Sequence, residues 1–247
     1  MDVVIEQYFD LNIMSENFTF VLKGFGETME LWAVSSVLSL IWGLALAVLR
    51  ASRSGPMAPV RFLTIAYIDV FRGIPLLLLV LLISGSLPFL PIPESIAIPE
   101  WFGKPDPFWY GVMAITITYG AYMAEVYRAG IEAVPPGQME AARSLGMSHG
   151  QAMRQVIVPQ AVRKVIPPLL NDLIALMKDT SLIGVIALIE VVEAGRTVQA
   201  ETLNSSALTL GAVMFVIVTI PMARLVDRLI AGQQARFERG TAGPATA

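Results

Sequence analysis

The sequence predicts an all-α integral membrane protein of five transmembrane helices, with its N-terminus outside and its C-terminus inside. Three observations predict it. Hydrophobic residues make up 55% of the 247 and charged residues only 15%, too little polar material to cover a soluble domain, in which about 25% of residues are charged. Long uncharged runs recur at the length a bilayer core requires, roughly 20 residues. The basic residues also fall on one side of the membrane once those runs are threaded through it. The same composition excludes a disordered or nucleic-acid-binding chain. Cysteine is absent, which excludes disulfides, iron–sulfur clusters, zinc–cysteine sites and thiol nucleophiles. A single histidine, His149, excludes histidine-rich metal or haem sites.

Residues 1–30 read as an extracytoplasmic segment. They carry Asp2, Glu6, Asp10 and Glu16 before the first basic residue, Lys23, so the positive start of a secretory signal is missing. The first span is 31–49, uncharged and ended by Arg50. The second is 73–93, with helix beginning upstream near Leu63. The third is 108–124 and the last 205–223, both uncharged. Between them, 165–189 is apolar but broken by Asp172, Lys178 and Asp179. Three central charges cost roughly 8–10 kcal/mol at about +3 each, while the Leu, Ile and Val residues return about 4–8. As a span this segment turns its charged side toward protein or a watery cavity.

The charges support counting it. Five spans place twelve basic residues inside and three outside, Lys23, Lys104 and Arg196, while Arg72 and Lys178 lie within spans. Four spans would strand the C-terminal basic cluster outside, against the positive-inside rule. The external 88–107 connection is proline-rich, and Trp101 and Trp109 suit the outer interface. The transmembrane domain covers 31–232, and the tail 233–247 reads as disordered.

The inside loop 125–164 holds a specific pattern. Pro135-Pro136 suits a first helical turn. Gln138 to Leu145 then reads as a short helix, with Gly146 as its C-terminal cap. Ser148 and Gln151 fit a capping box for a second short helix, stopped before Pro159. The product is a rigid cytoplasmic knob of the kind that lies in a partner's groove.

Glu140-Ala141-Ala142, three residues, Gly146, nine residues and Val156-Ile157-Val158-Pro159 resemble the EAA loop of ABC-importer permeases, with Val156 and Val158 in place of Ile and Leu. Phe71-Arg72-Gly73-Ile74-Pro75 and Lys178-Asp179-Thr180-Ser181-Leu182 resemble the FRGTP and KDTSL stretches of the polar amino-acid branch. The resemblance covers about residues 20–232. It implies a permease subunit of a type I ABC importer in the cytoplasmic (inner) membrane. Its implied partners are two ATP-binding ATPase subunits, a second permease chain as homodimer or heterodimer, an extracytoplasmic substrate-binding protein and membrane lipid. The EAA loop, about 135–160, is then the coupling helix, with Glu140, Ala141, Ala142, Arg143 and Gly146 at the ATPase interface. The chain itself is expected to bind no cofactor, ATP and Mg being held by the partner. It has no G-x-x-x-x-G-K-[ST] phosphate loop, and its only Gly-Lys pair, Gly103-Lys104, is followed by Pro105.

Asp172 and Asp179 are seven residues apart, two turns on one helix face and about 10 Å along the axis. Lys178 is turned about 100° from Asp179 and shares a face with Asn171. Two carboxylates beside an ammonium and an amide suit an amino-acid zwitterion, with a modest lean to a basic one. Arg72, whose planar fork suits a carboxylate, is the other candidate contact. The bland reading pairs it with Asp69 three residues earlier, and Glu125 with Arg128 likewise. Two other classes compete. A membrane enzyme would need the two aspartates to share a proton, which about 10 Å forbids, and it shows neither H-E-x-x-H nor G-x-S-x-G. A secondary carrier would use the aspartates for protons and show inverted repeats, and no fixed-period repeat is visible.

Overall fold

The computed structural model describes residues 2–51, 55–90 and 103–241, with side chains through 232. Eleven α-helices run along these residues, joined by short 3-10 and π turns. Helices α1 (Asp2–Phe9), α2 (Leu11–Glu16) and α3 (Phe18–Ala51) open the chain, followed by α4 (Ala58–Gly73), α5 (Leu76–Ser86) and α6 (Asp106–Glu132). The short α7 (Pro136–Ser144) and α8 (His149–Ala152) precede α9 (Val158–Asp179), α10 (Val191–Thr202) and α11 (Ser206–Thr241).

Two helices are long and apolar enough to cross a membrane, α3 and the Ser206–Gly232 part of α11. The pair Gly55–Gly73 and Leu76–Phe89 adds a third if taken as one span, although it is bent by 106°. The bend falls at the start of the second span read from the sequence, 73–93, and separates it from the helix expected upstream near Leu63. Pro75 lacks an N–H and pushes Ile74 to an extended conformation, φ −87° and ψ 127°, so the helix cannot run through.

Helix α6, 27 residues, contains the expected third span 108–124, and α9, 22 residues, covers 165–179 of the expected charged span 165–189. Their composition is less apolar because they are packed in protein. Helix α6 mixes Tyr, Thr and Gly with its apolar residues and carries the core, in which Ile115, Tyr119 and Met123 meet Leu31 of α3, Leu79 and Val80 of α5 and Val165, Leu169 and Leu176 of α9. Small residues let the central helices touch. A Cβ on Gly43 of α3 would stand 2.7 Å from Cβ of Met123 and 2.9 Å from the Gly120 carbonyl. Gly43→Ala is therefore expected to destabilise the domain by about 1–3 kcal/mol, read as a lower thermal midpoint in detergent.

Four boundaries differ from the sequence reading. Helix α3 begins at Phe18, so the 30/31 boundary falls inside a helix. Lys104 ties that helix to the start of α6 through Glu27 (2.8 Å) and Glu30 (2.6 Å). Burial pushes the Lys104 ammonium down, but the two carboxylates outweigh it and hold it above the ordinary lysine range. Helix α9 starts at Val158, with Pro159 in its first turn, and stops at Asp179, where a 3-10 turn over Thr180–Ile186 takes over. The expected stop before Pro159 is absent: α8 passes through a π turn, Met153–Ile157, straight into α9, because a first-turn proline needs no N–H partner. Helical backbone also runs through 233–241, where the sequence predicts a disordered tail; the Gln, Ala, Arg and Glu there are good helix formers. Residues 242–247 and most of the proline-rich loop, Trp101 included, lie outside the described residues. Trp109 packs on the main core beside Phe108.

Candidate functional site

The end of α4, the break at Ile74–Pro75, α6 and α9 line an open cavity of about 430 Å³, within the range of small-molecule sites. Arg72 stands at the α4 corner, Thr118, Tyr119 and Tyr122 come from α6, and Asp172 and Asp179 from α9. The two aspartates expected on one helix face thus line one cavity. The Tyr119 hydroxyl donates to Oδ2 of Asp179 at 2.8 Å. Oδ2 of Asp172 and the Thr118 hydroxyl are buried with no hydrogen-bond partner among the described residues. Buried polar atoms are nearly always paired, so two orphans facing one cavity mark it as a place for a polar ligand.

The other predicted residues fall elsewhere. Asn171 is exposed and outside the cavity lining. Lys178 is exposed and lines a separate cavity of about 250 Å³ with Val191, Leu208 and Phe215. Each precedes an aspartate by one residue, a rotation of about 100° that carries it off the aspartate face. Arg72 does not pair with Asp69. It crosses to α6, where its guanidinium lies 5.5 Å from the centre of the Tyr122 ring and 3.8 Å from Glu125. The expected pair of Glu125 and Arg128 is present at 2.8 Å, and Arg50 of α3 joins the same carboxylate. Sequence reasoning missed Thr118, Tyr119 and Tyr122 of the cavity lining, and read Glu125 only as the partner of Arg128. Thr118, Tyr122 and Glu125 recur at four- and three-residue steps, a polar stripe on one face of α6, and that periodicity was the available signal.

In the loop between α6 and α9, α7 ends in a Schellman turn. Met147 N–H donates to the Ala142 carbonyl (3.2 Å) and Gly146 N–H to that of Arg143 (3.0 Å), with Gly146 at φ +85°, a conformation that suits glycine. The capping box of Ser148 and Gln151 is formed. Glu140, Ala141 and Arg143 are exposed, as is Leu145 at 82%. Ala142, expected on the interface, is buried within this chain at 4% exposure. It faces inward because α7 must pack one side against its own loop. Among the described residues no group of acidic or histidine side chains is placed to hold a metal.

A helical membrane domain with a polar cavity among α4, α6 and α9 and a capped loop beyond it is an arrangement that suits a transport subunit. The chain belongs to the family described as the binding-protein-dependent transport system inner membrane component, whose model matches residues 21–239, and is a multi-pass protein of the cytoplasmic membrane. The probable glutamine ABC transporter permease protein GlnM of Bacillus subtilis is 34% identical over 226 residues, covering 89% of this chain and 96% of that one. The arginine transport system permease protein ArtQ of the same organism is 33% identical, covering 81% and 87%. Among solved structures, an amino acid ABC transporter crystallised with histidines matches with a TM-score of 0.77 at 32% identity, covering 88% of this chain and 96% of that one.

Proposed function

We propose that this chain is the permease of an ATP-driven importer of a polar amino acid, with a modest lean to basic cargo. The single observation that carries the cargo is the α4–α6–α9 cavity, where two aspartates face an arginine and two polar atoms lack partners. A zwitterion matches it end for end. Its ammonium meets Asp172 and Asp179, whose attraction is stronger away from bulk water, and its carboxylate meets the Arg72 fork. The relatives whose names carry glutamine and arginine support an amino-acid cargo. An acidic amino acid as the best substrate would overturn the lean to basic cargo.

Energy comes from elsewhere, since the chain has no phosphate loop. The exposed Glu140, Ala141, Arg143 and Leu145 around the Gly146 turn form a small knob that fits a groove, and the partner ATPase supplies that groove. A second permease chain and an extracytoplasmic binding protein complete the importer. The test is uptake of the twenty amino acids into proteoliposomes holding this chain, its ATPase and its binding protein, with ATP inside. ATP-independent uptake driven by a proton gradient would instead favour a secondary carrier.

The same reading has five spans, α3, the α4–α5 pair, α6, α9 and α11, with the N-terminus outside. Reporter fusions at Asp10 and Thr241 are expected to report opposite sides of the membrane. Both on one side would remove a span, and α9 with its charges would be the one to go.

A further inference from the structure

We infer that Glu125 competes with the cargo for Arg72, so that an arriving carboxylate releases Arg72 from the ion cluster tying α3, α4 and α6 together. This rests on the cargo reading above and adds a positioning residue to it.

Glu125 is only 14% exposed, and both its oxygens are claimed. Arg50 of α3 takes Oε1, and Arg128 takes Oε2 at 2.8 Å through Nη2 and through Nε. Arg128 also reaches Glu132 of its own helix. Arg72 comes last, sharing Oε1 with Arg50 from 3.8 Å, and its side chain is 41% exposed. Three guanidiniums thus face two carboxylates, and the loosest of the three is the one lining the cavity. Tyr122 keeps it there. Its ring lies 5.5 Å from the guanidinium carbon, and its hydroxyl donates to the Arg72 carbonyl at 3.2 Å. A guanidinium held by a ring face and one long ion contact needs little displacement to form a bidentate pair with a carboxylate in the cavity. The exchange makes the Arg72–cargo contact and breaks the Arg72–Glu125 contact, while Arg50 and Arg128 stay on Glu125. One tie between α4 and α6 is thereby lost, seven residues before α6 ends and the chain turns into the α7 loop, while the bonds from Tyr122 to the Arg72 carbonyl and from Tyr67 to the Ile117 carbonyl stay.

The test uses the full complex in nanodiscs and two ligand pairs, L-arginine with its decarboxylated amine agmatine, and L-glutamine with gamma-aminobutyramide. Each amine keeps the ammonium and loses the carboxylate. Glu125→Gln removes the competing charge. It is expected to tighten binding of the amino acid about two- to fivefold, the scale of a partly exposed ion pair, and to leave the matching amine unchanged. Glu132→Gln, at an exposed position, leaves Arg128 to draw harder on Glu125 and is expected to act in the same direction more weakly. It keeps the test alive if Glu125→Gln fails to assemble. A merely structural Glu125 would move amino acid and amine together, and that result, or no change in either variant, overturns the inference. Arg72→Gln separates it from the cargo reading. A loss confined to the amino acids upholds Arg72 as the carboxylate contact whatever Glu125 does. An equal loss for the amines, or no binding of L-arginine or L-glutamine at all, removes the cargo reading and this inference with it.

Discussion

Glu140→Lys is expected to leave the permease inserted but to cut ATP hydrolysis and uptake by the assembled importer at least tenfold. Glu140 is exposed in the middle of α7, and among the described residues its carboxylate accepts no hydrogen bond, while its backbone carbonyl accepts one from the Ser144 hydroxyl. Its charge is therefore free for a partner. Reversing it in a desolvated contact costs about 2–5 kcal/mol, more than enough for a factor of ten. Gly146→Leu reaches the same end differently. A side chain at φ +85° costs about 1–2 kcal/mol and undoes the turn that angles α7 against α8. Both variants are checked by membrane expression, by pull-down with the ATPase and by the substrate-stimulated hydrolysis rate. Wild-type rates in both would remove this loop from the coupling surface.

Asp172→Asn is expected to weaken cargo binding roughly 10- to 150-fold, since losing a hydrogen bond to a charged group costs about 1.5–3 kcal/mol. Oδ2 of Asp172 has no partner among the described residues, so the variant strands no protein donor there and assembly is expected to survive. Tyr119 makes Asp179 a poorer choice for this test, because Asp179→Asn would also disturb the bond from the phenol. Titration calorimetry on the complex, with pull-down of the ATPase as control, reads the two effects apart. Unchanged affinity with normal assembly would leave Asp172 a structural group.

The membrane class, the aspartate face and the capped loop were legible in the sequence because each depends on local spacing. Uncharged runs report spans, a seven-residue interval reports a shared helix face, and Ser148 with Gln151 reports a cap that the structure forms. Helix α6 was read as an uncharged span, and only its packing against α3, α5 and α9 shows that it carries the core. Asn171 and Ala142 were misplaced because each shares a neighbourhood in the sequence, but not a direction, with residues that do face the site.

The sequence by itself determined that this chain lives in a membrane, that it carries no nucleotide loop, and that its charged segment has to face protein or water. Those conclusions follow from composition and helical period, which need no knowledge of neighbours. The tertiary structure alone decided that Arg72 crosses to Glu125 instead of Asp69. It also decided that the chain bends by 106° at Pro75, between the expected second span and the helix upstream of it, and that Tyr119 from α6 meets Asp179 from α9. Local spacing offers each charge several partners of similar energy, and the choice among them is made by which helices pack together.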